Sequence, residues 1–321
     1  MAKGGLGRGL DEIYSKTEGP DLSSFVTEEK MPDSPRAAVI WMIFGSFCFG
    51  TMNALVKWTS DHTDVWMIIM VRSAVIAFAV AAFAASRGIS LKVNDHRTML
   101  LRCIVGLIAM ILYFTALGRI PIGQAVTLQY TGPLFVALLS GRILAERVSA
   151  SVASLVLTAF AGIVLIVSPE VGSIDPNALL ALGSGFFAAL AYMYVRELRK
   201  TDSPAIVIFW FAAFSVVGSI VQSAPHISEL DSNTIAALIG IGIGAGGGQV
   251  GITMAYHKAN AAWVSAFSYL TVLVATFYGF SLFGETLSLA DWLGGALVVG
   301  SGIALVFVFP PDEKSESGNA A

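Results

Sequence analysis

Long apolar stretches separated by short polar loops occupy the chain from residue 37 onward. A helix needs about 20 mostly apolar residues to cross the roughly 30 Å hydrocarbon core of a bilayer. Ten stretches meet this length: residues 37–57, 64–86, 99–118, 121–141, 149–169, 178–197, 203–222, 234–256, 260–283 and 288–309. The pattern predicts an all-α polytopic membrane protein with ten transmembrane helices, numbered here as spans one to ten.

Part of the chain occurs twice. The segment Ala116–Ser149 reappears, shifted by 139 residues, as Ala255–Ser288. The matching residues are Ala116/Ala255, Tyr130/Tyr269, Leu134/Leu273, Glu146/Glu285 and Ser149/Ser288. Each half then holds five spans, and because this number is odd the second half inserts in the opposite orientation to the first. We expect two inverted-topology five-helix repeats, over residues 37–170 and 178–310.

Positive charges fall on one side of this topology. With the amino terminus inside, nine lysines and arginines lie in cytoplasmic loops, against one, or two with Lys57, in external loops. Cytoplasmic loops of membrane proteins carry the excess of positive charge. We therefore expect both termini in the cytoplasm, with residues 1–36 and 311–321 as tails. The polar, mixed-charge composition of residues 1–36 predicts that this tail is disordered.

Composition narrows the class of protein further. Hydrophobic residues make up 55% of the chain and charged residues 13%, whereas about a quarter of the residues in soluble proteins are charged. The net charge of −3 and the lack of a basic patch argue against a nucleic-acid partner. The two cysteines lie in apolar segments and predict packing, not a disulfide. The sequence has no metal-ligand cluster, nucleophile–base arrangement or phosphate loop, so we expect no metal, no cofactor and no enzymatic activity.

Arg72 is the most informative single residue. It lies eight residues past Asp64 in span two, which is ~12 Å along a helix. An arginine at this depth costs about 2.5–3.5 kcal/mol on insertion scales, so its side chain is expected to face the interior of the bundle. There it would attract an anionic or zwitterionic substrate. The alternative is a structural arginine that bonds helix carbonyls or extends to the membrane surface.

Span four combines a proline with polar side chains. Pro133 has no N–H and crowds the carbonyl of Gln129, so we expect a bend there and a free acceptor. The polar residues on or beside one face of this span are Gln124, Thr127, Tyr130 and Thr131. Such a face suits the lining of a substrate site. Hydrogen bonding between helices explains the same residues equally well, so both interpretations stay open.

Other polar residues inside the spans complete the candidate substrate site. They are Asn53 in span one, Gln249 in span eight, and Ser265, Ser268 and Tyr269 in span nine. Two basic residues near span ends, Lys57 and Arg102, are expected to extend to the membrane surface as interfacial anchors. Lys57 together with Arg72 also leaves open a cationic outer vestibule.

Several features of the repeats are expected to have structural roles. Gly240, Gly244 and Gly248 of span eight form a flat seam for close helix packing. Glu146 and Glu285 lie at equivalent span ends, where we expect them to cap a helix or to pair across the contact between the repeats. Spans five and ten are plain apolar helices that serve as scaffold or subunit contact, which leaves a homodimer open.

These features together resemble the drug/metabolite transporter superfamily, EamA type, over about residues 37–309. The resemblance lies in Lys57, Arg72, the run ALGRIPIGQAVTLQYTGPLFVALLSGRILAE, the Gly284-Glu285 exit and the Gly302-Ile303 element. It implies an alternating-access carrier in a bacterial inner membrane, with its cavity between spans of both halves. Members of this superfamily move amino acids, organic cations, purines, riboflavin, S-adenosylmethionine and other metabolites. Span nine has Val272 at the position that matches Pro133 of span four. In lacking this second proline, the chain is similar to the subgroup associated with riboflavin or S-adenosylmethionine uptake.

We therefore expect a secondary transporter of a small polar metabolite. Arg72 favours an anionic or zwitterionic, amino-acid-like compound, and the resemblance adds riboflavin or S-adenosylmethionine uptake. The alternative is a membrane interaction or sensor protein that keeps the fold without transporting, and the charged tail is its only support. Deleting residues 1–30 separates the two, because a carrier keeps its substrate flux without the tail.

Overall fold

The computed structural model describes residues 35–132, 134–135, 150–167, 175–198, 200–225, 230–258 and 269–308. The regular secondary structure of this part of the chain is entirely helical, which confirms the all-α fold class. One helix lies in each predicted span: α1 (Pro35–Ser60), α2 (Val65–Arg87), α3 (His96–Arg119), α4 (Ile122–Gln129), α5 (Ala150–Val167), α6 (Pro176–Leu198), α7 (Pro204–Ser223), α8 (Ser232–Lys258), α9 (Leu270–Phe283) and α10 (Leu289–Val308).

Short polar side chains and glycines set several of the helix ends. Asp64 caps α2 by accepting hydrogen bonds from the backbone N–H groups of its first turn, and Asp95 caps α3 in the same way. At the C-terminal ends of helices, Gly88 terminates α2 with φ 64° and Gly284 terminates α9 with φ 63°. Both glycines adopt the left-handed conformation that terminates helices and that other residues adopt only at a cost.

Six of the described helices are each long and apolar enough to cross a membrane: α1, α2, α3, α6, α7 and α8. Span four differs, because α4 has only 8 residues. Helix α4 ends in a turn at Tyr130 and Thr131, and the helical conformation resumes beyond it. The predicted interruption of span four is therefore observed just before Pro133, which itself lies outside the described residues.

The packing of the helices repeats between the two halves. Helix α1 packs along α8. Their counterparts in the other half, α6 and α3, likewise pack along each other. Three further pairs each join a helix to its own counterpart: α2 with α7, α4 with α9, and α5 with α10. This pattern is unchanged when the halves are exchanged, as expected for a two-repeat fold with opposite orientations. The Lys57 end of the bundle holds the α1–α2, α3–α4 and α9–α10 connections, and the Asp202 end holds the α2–α3 and α6–α7 connections.

Glycines allow the closest of these contacts. A Cβ on Gly251 of α8 would lie 2.6 Å from the Cα of Gly45 in α1, so no side chain fits there. Gly244 and Gly248 of the predicted seam also face α1, the former against the Cys48 carbonyl and the latter against the Phe49 ring. The seam is thus a packing surface between α8 and α1, which is the static role expected from its spacing.

At the Asp202 end, a buried carboxylate joins the two halves. Asp202 is 5% exposed and accepts hydrogen bonds from the Asn94 N–H at 2.8 Å and the Thr201 hydroxyl at 2.7 Å. Burial raises the pKa of Asp202, but these hydrogen bonds outweigh it and hold the pKa below its ordinary value. Because Asn94 precedes α3 and Asp202 precedes α7, this interaction joins a loop of the first half to a loop of the second.

Candidate functional site

Arg72 lies inside the bundle, as expected. From the middle of α2 its Nη1 donates to the sulfur of Met110 in α3 at 3.2 Å, and its guanidinium lies 5.8 Å from the centre of the Phe114 ring. The Nε atom is buried and has no hydrogen-bond partner among the described residues. The charge is therefore held by a thioether and an aromatic face, which are weak partners compared with a carboxylate.

Asn53 and Tyr113 form a second polar contact in the interior. The Tyr113 hydroxyl, on α3, donates to Oδ1 of Asn53, on α1, at 3.1 Å, and both residues are buried. Tyr113 belongs to the same helix as the Met110 and Phe114 contacts of Arg72, within one turn of each. Asn53 is among the residues predicted from the sequence, whereas Tyr113 is not, because an aromatic residue in an apolar helix carries no periodic signal.

The tyrosines that match between the repeats meet at the interruption of span four. Tyr130 follows the last residue of α4, Tyr269 precedes the first residue of α9, and their ring centroids are 5.7 Å apart. Tyr130 is also close enough to interact electrostatically with Tyr113. The structure thus brings together five residues that we call the central site: Asn53, Arg72, Tyr113, Tyr130 and Tyr269.

The other polar residues of span four bond to the protein itself. The Gln124 amide donates to the Ile166 carbonyl at 2.9 Å and to Asp291 at 3.1 Å, so it joins α4 to α5 and α10. Thr127 and Thr131 donate to carbonyls of their own chain segment, and Gln129 accepts from the Ser184 hydroxyl of α6. These bonds favour the packing interpretation of the polar face over the substrate interpretation.

Three sequence-predicted residues, Pro133, Ser265 and Ser268, lie outside the described residues. Gln249 is described and lies on an exposed part of α8.

Lys57 is not an isolated interfacial anchor, and this expectation was wrong. Its Nζ forms a 2.7 Å ion pair with Glu285 and donates to the Ile120 carbonyl at 2.8 Å. Glu285 also accepts from the Ile122 N–H at 2.8 Å, so it caps α4 across the contact between the repeats, one of the roles expected for it. The pair neutralises Lys57, which removes it from a cationic vestibule.

A signal for this pair was present in the sequence. The 139-residue shift that aligns Glu146 with Glu285 also aligns Lys57 with Arg196, so each half carries one basic and one acidic residue at equivalent positions. These equivalent positions lie partly outside the repeat Ala116–Ser149, so that repeat alone does not relate Lys57 to Glu285. Glu146 and the Arg196 side chain lie outside the described residues.

Arg102 also departs from the expected interfacial position. Its guanidinium folds along α3 over Gly106, into the space that a Cβ would occupy, and lies 4.1 Å from the centre of the Phe211 ring in α7. The missing side chain at Gly106 makes room for the group inside the helix contact. The signal that would have revealed this is an arginine four residues before a glycine, since these positions share a helix face.

A cavity of about 470 Å³ lies near the Lys57 end, apart from the central site. Its lining includes Gly123, Thr276, Glu285 and the aromatic side chains of Phe280 and Trp292. These two rings are 68% and 55% exposed, so they belong to the surface that the bilayer covers. Within the described residues no group of three His, Cys, Asp or Glu side chains is arranged to hold a metal ion.

Comparison with known proteins identifies the family. The model described as "EamA-like transporter family" matches the chain twice, over residues 36–168 and 176–308. The chain is 28% identical over 275 residues to the pseudopaline exporter CntI of Pseudomonas aeruginosa strain UCBPP-PA14, covering 85% of this chain and 97% of that protein. It is 26% identical over 271 residues to a riboflavin transporter of Vibrio cholerae, covering 83% of this chain and 91% of that protein.

A solved crystal structure of another protein has the same fold. It covers 88% of this chain and 99% of its own, with a TM-score of 0.57 and 19% sequence identity. Together with two matches to one family model, in the two halves that pack symmetrically, this likeness accounts for the whole helical bundle. The chain belongs to the EamA-like transporter family of the drug/metabolite transporter superfamily, and it is a multi-pass membrane transporter, not an enzyme.

Proposed function

We propose that this transporter is an alternating-access secondary carrier of a small anionic or zwitterionic metabolite, bound at the central site. The observation that carries the proposal is the Arg72 guanidinium, whose described contacts are the Met110 sulfur and the Phe114 ring. A charge buried without a counterion costs several kcal/mol and persists where function requires it. A negatively charged substrate group would supply the missing partner.

The contact between the repeats supports a site at this position. Substrate sites of carriers built from inverted repeats lie near the bilayer midplane, at the repeat interface and beside interrupted helices. Tyr130 and Tyr269 lie at such a position, because Tyr130 flanks the interruption of span four and the two ring centroids are 5.7 Å apart across the halves. Asn53 and Tyr113 supply polar groups that can orient a bound metabolite.

The identity of the metabolite does not transfer from the relatives, since one is named for pseudopaline and another for riboflavin. The charge count of the loops supports an orientation with the Lys57 end outside and both termini in the cytoplasm of a bacterial inner membrane. Reporter fusions at the loops and termini test this orientation, and an external carboxyl terminus contradicts it.

The carrier function is tested by flux into proteoliposomes that contain the purified full-length protein. A panel of radiolabelled amino acids and carboxylates is offered to the wild type, Arg72→Gln and Arg87→Gln. Arg87 is a matched control, because it lies on the same helix and its guanidinium is also 5.8 Å from a ring centre, that of Phe83, but at the exposed helix end.

We expect Arg72→Gln to lower the flux of the transported compound about tenfold or more, because removing a buried charge partner typically costs 2–5 kcal/mol of binding. Arg87→Gln should stay within about twofold of the wild type, as is usual for surface substitutions. Equal losses in both variants, or flux that is independent of Arg72, would contradict the proposed role of the central site.

A further inference from the structure

A second buried guanidinium lies near Arg72. Arg102 is held over Gly106 and against the Phe211 ring, and its Nε and Nη1 atoms are buried with no hydrogen-bond partner in the described part of the chain. Its position is thus determined by shape, through a missing side chain and an aromatic face, and not by a counterion. Gly106 is the residue that makes this position accessible.

The α3 residues that the two guanidiniums contact are about one helical turn apart. Arg102 lies over Gly106, and Arg72 donates to Met110. Positions four residues apart on a helix share a face and are separated by ~6 Å along the axis. The two groups are close enough to repel each other electrostatically. Two like charges therefore lie side by side on one face of α3.

The described helices offer no carboxylate to neutralise these charges. Their acidic residues lie at helix ends: Glu197 pairs with Lys200 in the last turn of α6, and Asp291 lies in the first turn of α10. The other ion pair of the described chain, between Lys57 and Glu285, is at the Lys57 end. A site with two uncompensated positive charges is complementary to a ligand with two negative charges.

We propose that the substrate carries two carboxylates, one bound by Arg72 and the other by Arg102, which acts as a substrate-binding residue. This inference rests on the proposed carrier function and adds the chemical class of its substrate. Guanidiniums bind carboxylates through paired, charge-assisted hydrogen bonds, and both arginines have buried N–H groups that remain to be used. A single phosphate, whose charge is about −2, is the alternative dianionic group, and the experiment below separates it from two carboxylates.

The proposal is tested by calorimetric binding to the purified full-length protein. The probes are succinate and glutarate, the mono-amide succinamate, in which one carboxylate is removed with little change of shape, and phosphoethanolamine, which has a single phosphate. We expect one of the two dicarboxylates to bind at least about tenfold more tightly than succinamate and phosphoethanolamine, since each buried charged partner contributes more than a tenfold change.

Two variants assign this preference to Arg102. Arg102→Gln should reduce the preference for the dicarboxylate over succinamate to within about twofold. Gly106→Ala keeps the charge but fills the space under the guanidinium, and should weaken dicarboxylate binding in the same selective way. Arg87→Gln is the control for a lost surface charge, and melting curves identify any variant that fails to fold.

The results separate this inference from the carrier function. Equal binding of dicarboxylate and mono-amide, tighter binding of phosphoethanolamine, no binding of any probe, or a preference that survives both folded variants overturns the two-carboxylate proposal. If another compound still moves through proteoliposomes in an Arg72-dependent way, the carrier function stands without it. Dicarboxylate binding without Arg72-dependent flux supports the site and contradicts the carrier function.

Discussion

The positive charges at the Lys57 end and at the centre of the bundle are stabilised in opposite ways. Lys57 meets a carboxylate at 2.7 Å and a backbone carbonyl, and its partner Glu285 also caps a helix. Arg72 and Arg102 meet a sulfur atom and aromatic rings among the described residues. The counterion of Lys57 is part of the protein, as is usual for structural charges. Under our proposal, the counterions of Arg72 and Arg102 are supplied by the bound ligand.

The largest effect on stability is expected from breaking the complete arrangement. Lys57→Met leaves the Glu285 carboxylate, which is 11% exposed, without its cation, and we expect it to lower the free energy of unfolding by about 3 kcal/mol. Denaturant titration in detergent measures this loss. The double variant Lys57→Met with Glu285→Gln should recover much of it, because no uncompensated charge remains. A single variant as stable as the wild type would show that the pair is not structural.

Removing either of two buried tyrosine hydroxyls should change the free energy of unfolding by a smaller amount, and the two should differ because only one has a hydrogen-bond partner among the described residues. The Tyr113 hydroxyl donates to Asn53, whereas the buried Tyr269 hydroxyl lies against Gly302 and has no hydrogen-bond partner among the described residues. We expect Tyr113→Phe to cost about 1 kcal/mol of unfolding free energy, since it leaves Asn53 unsatisfied, and Tyr269→Phe to be neutral or stabilising. The reverse order in the same denaturant titration would contradict the assigned contacts.

The fold was predictable because its signals are local. Apolar length predicted ten spans, the odd number of spans per half predicted inversion, and Pro133 predicted the interruption that the structure shows at Tyr130 and Thr131. Helix α2 begins after Asp64, whose side chain caps its first turn, and ends before Gly88, which adopts the left-handed conformation. Both limits are close to those predicted for span two. Each of these features depends on a few neighbouring residues and on the thickness of a bilayer.

The candidate site was only partly predictable, because its contacts join distant residues. The depth of Arg72 in its span indicated an interior position, but nothing in the sequence indicated that Met110 and Phe114 would be its contacts. Lys57 and Glu285 are far apart in the chain, so their pairing follows from packing between the repeats. Gln124 was predicted as a site residue from its polarity alone, but its amide donates hydrogen bonds to the Ile166 carbonyl and to Asp291.

The most direct test of the account compares the unfolding free energies of the wild type and Arg72→Met, without ligand and with the tighter-binding dicarboxylate at about 100 times its Kd. Without ligand, Arg72→Met should be at least as stable as the wild type, because it removes a buried charge that has no carboxylate partner among the described residues. With ligand, the wild type should gain about 2.7 kcal/mol and become the more stable protein, while the variant gains little. An Arg72→Met variant that is less stable without ligand, with a difference that the ligand does not change, would contradict the account and assign Arg72 a purely structural role.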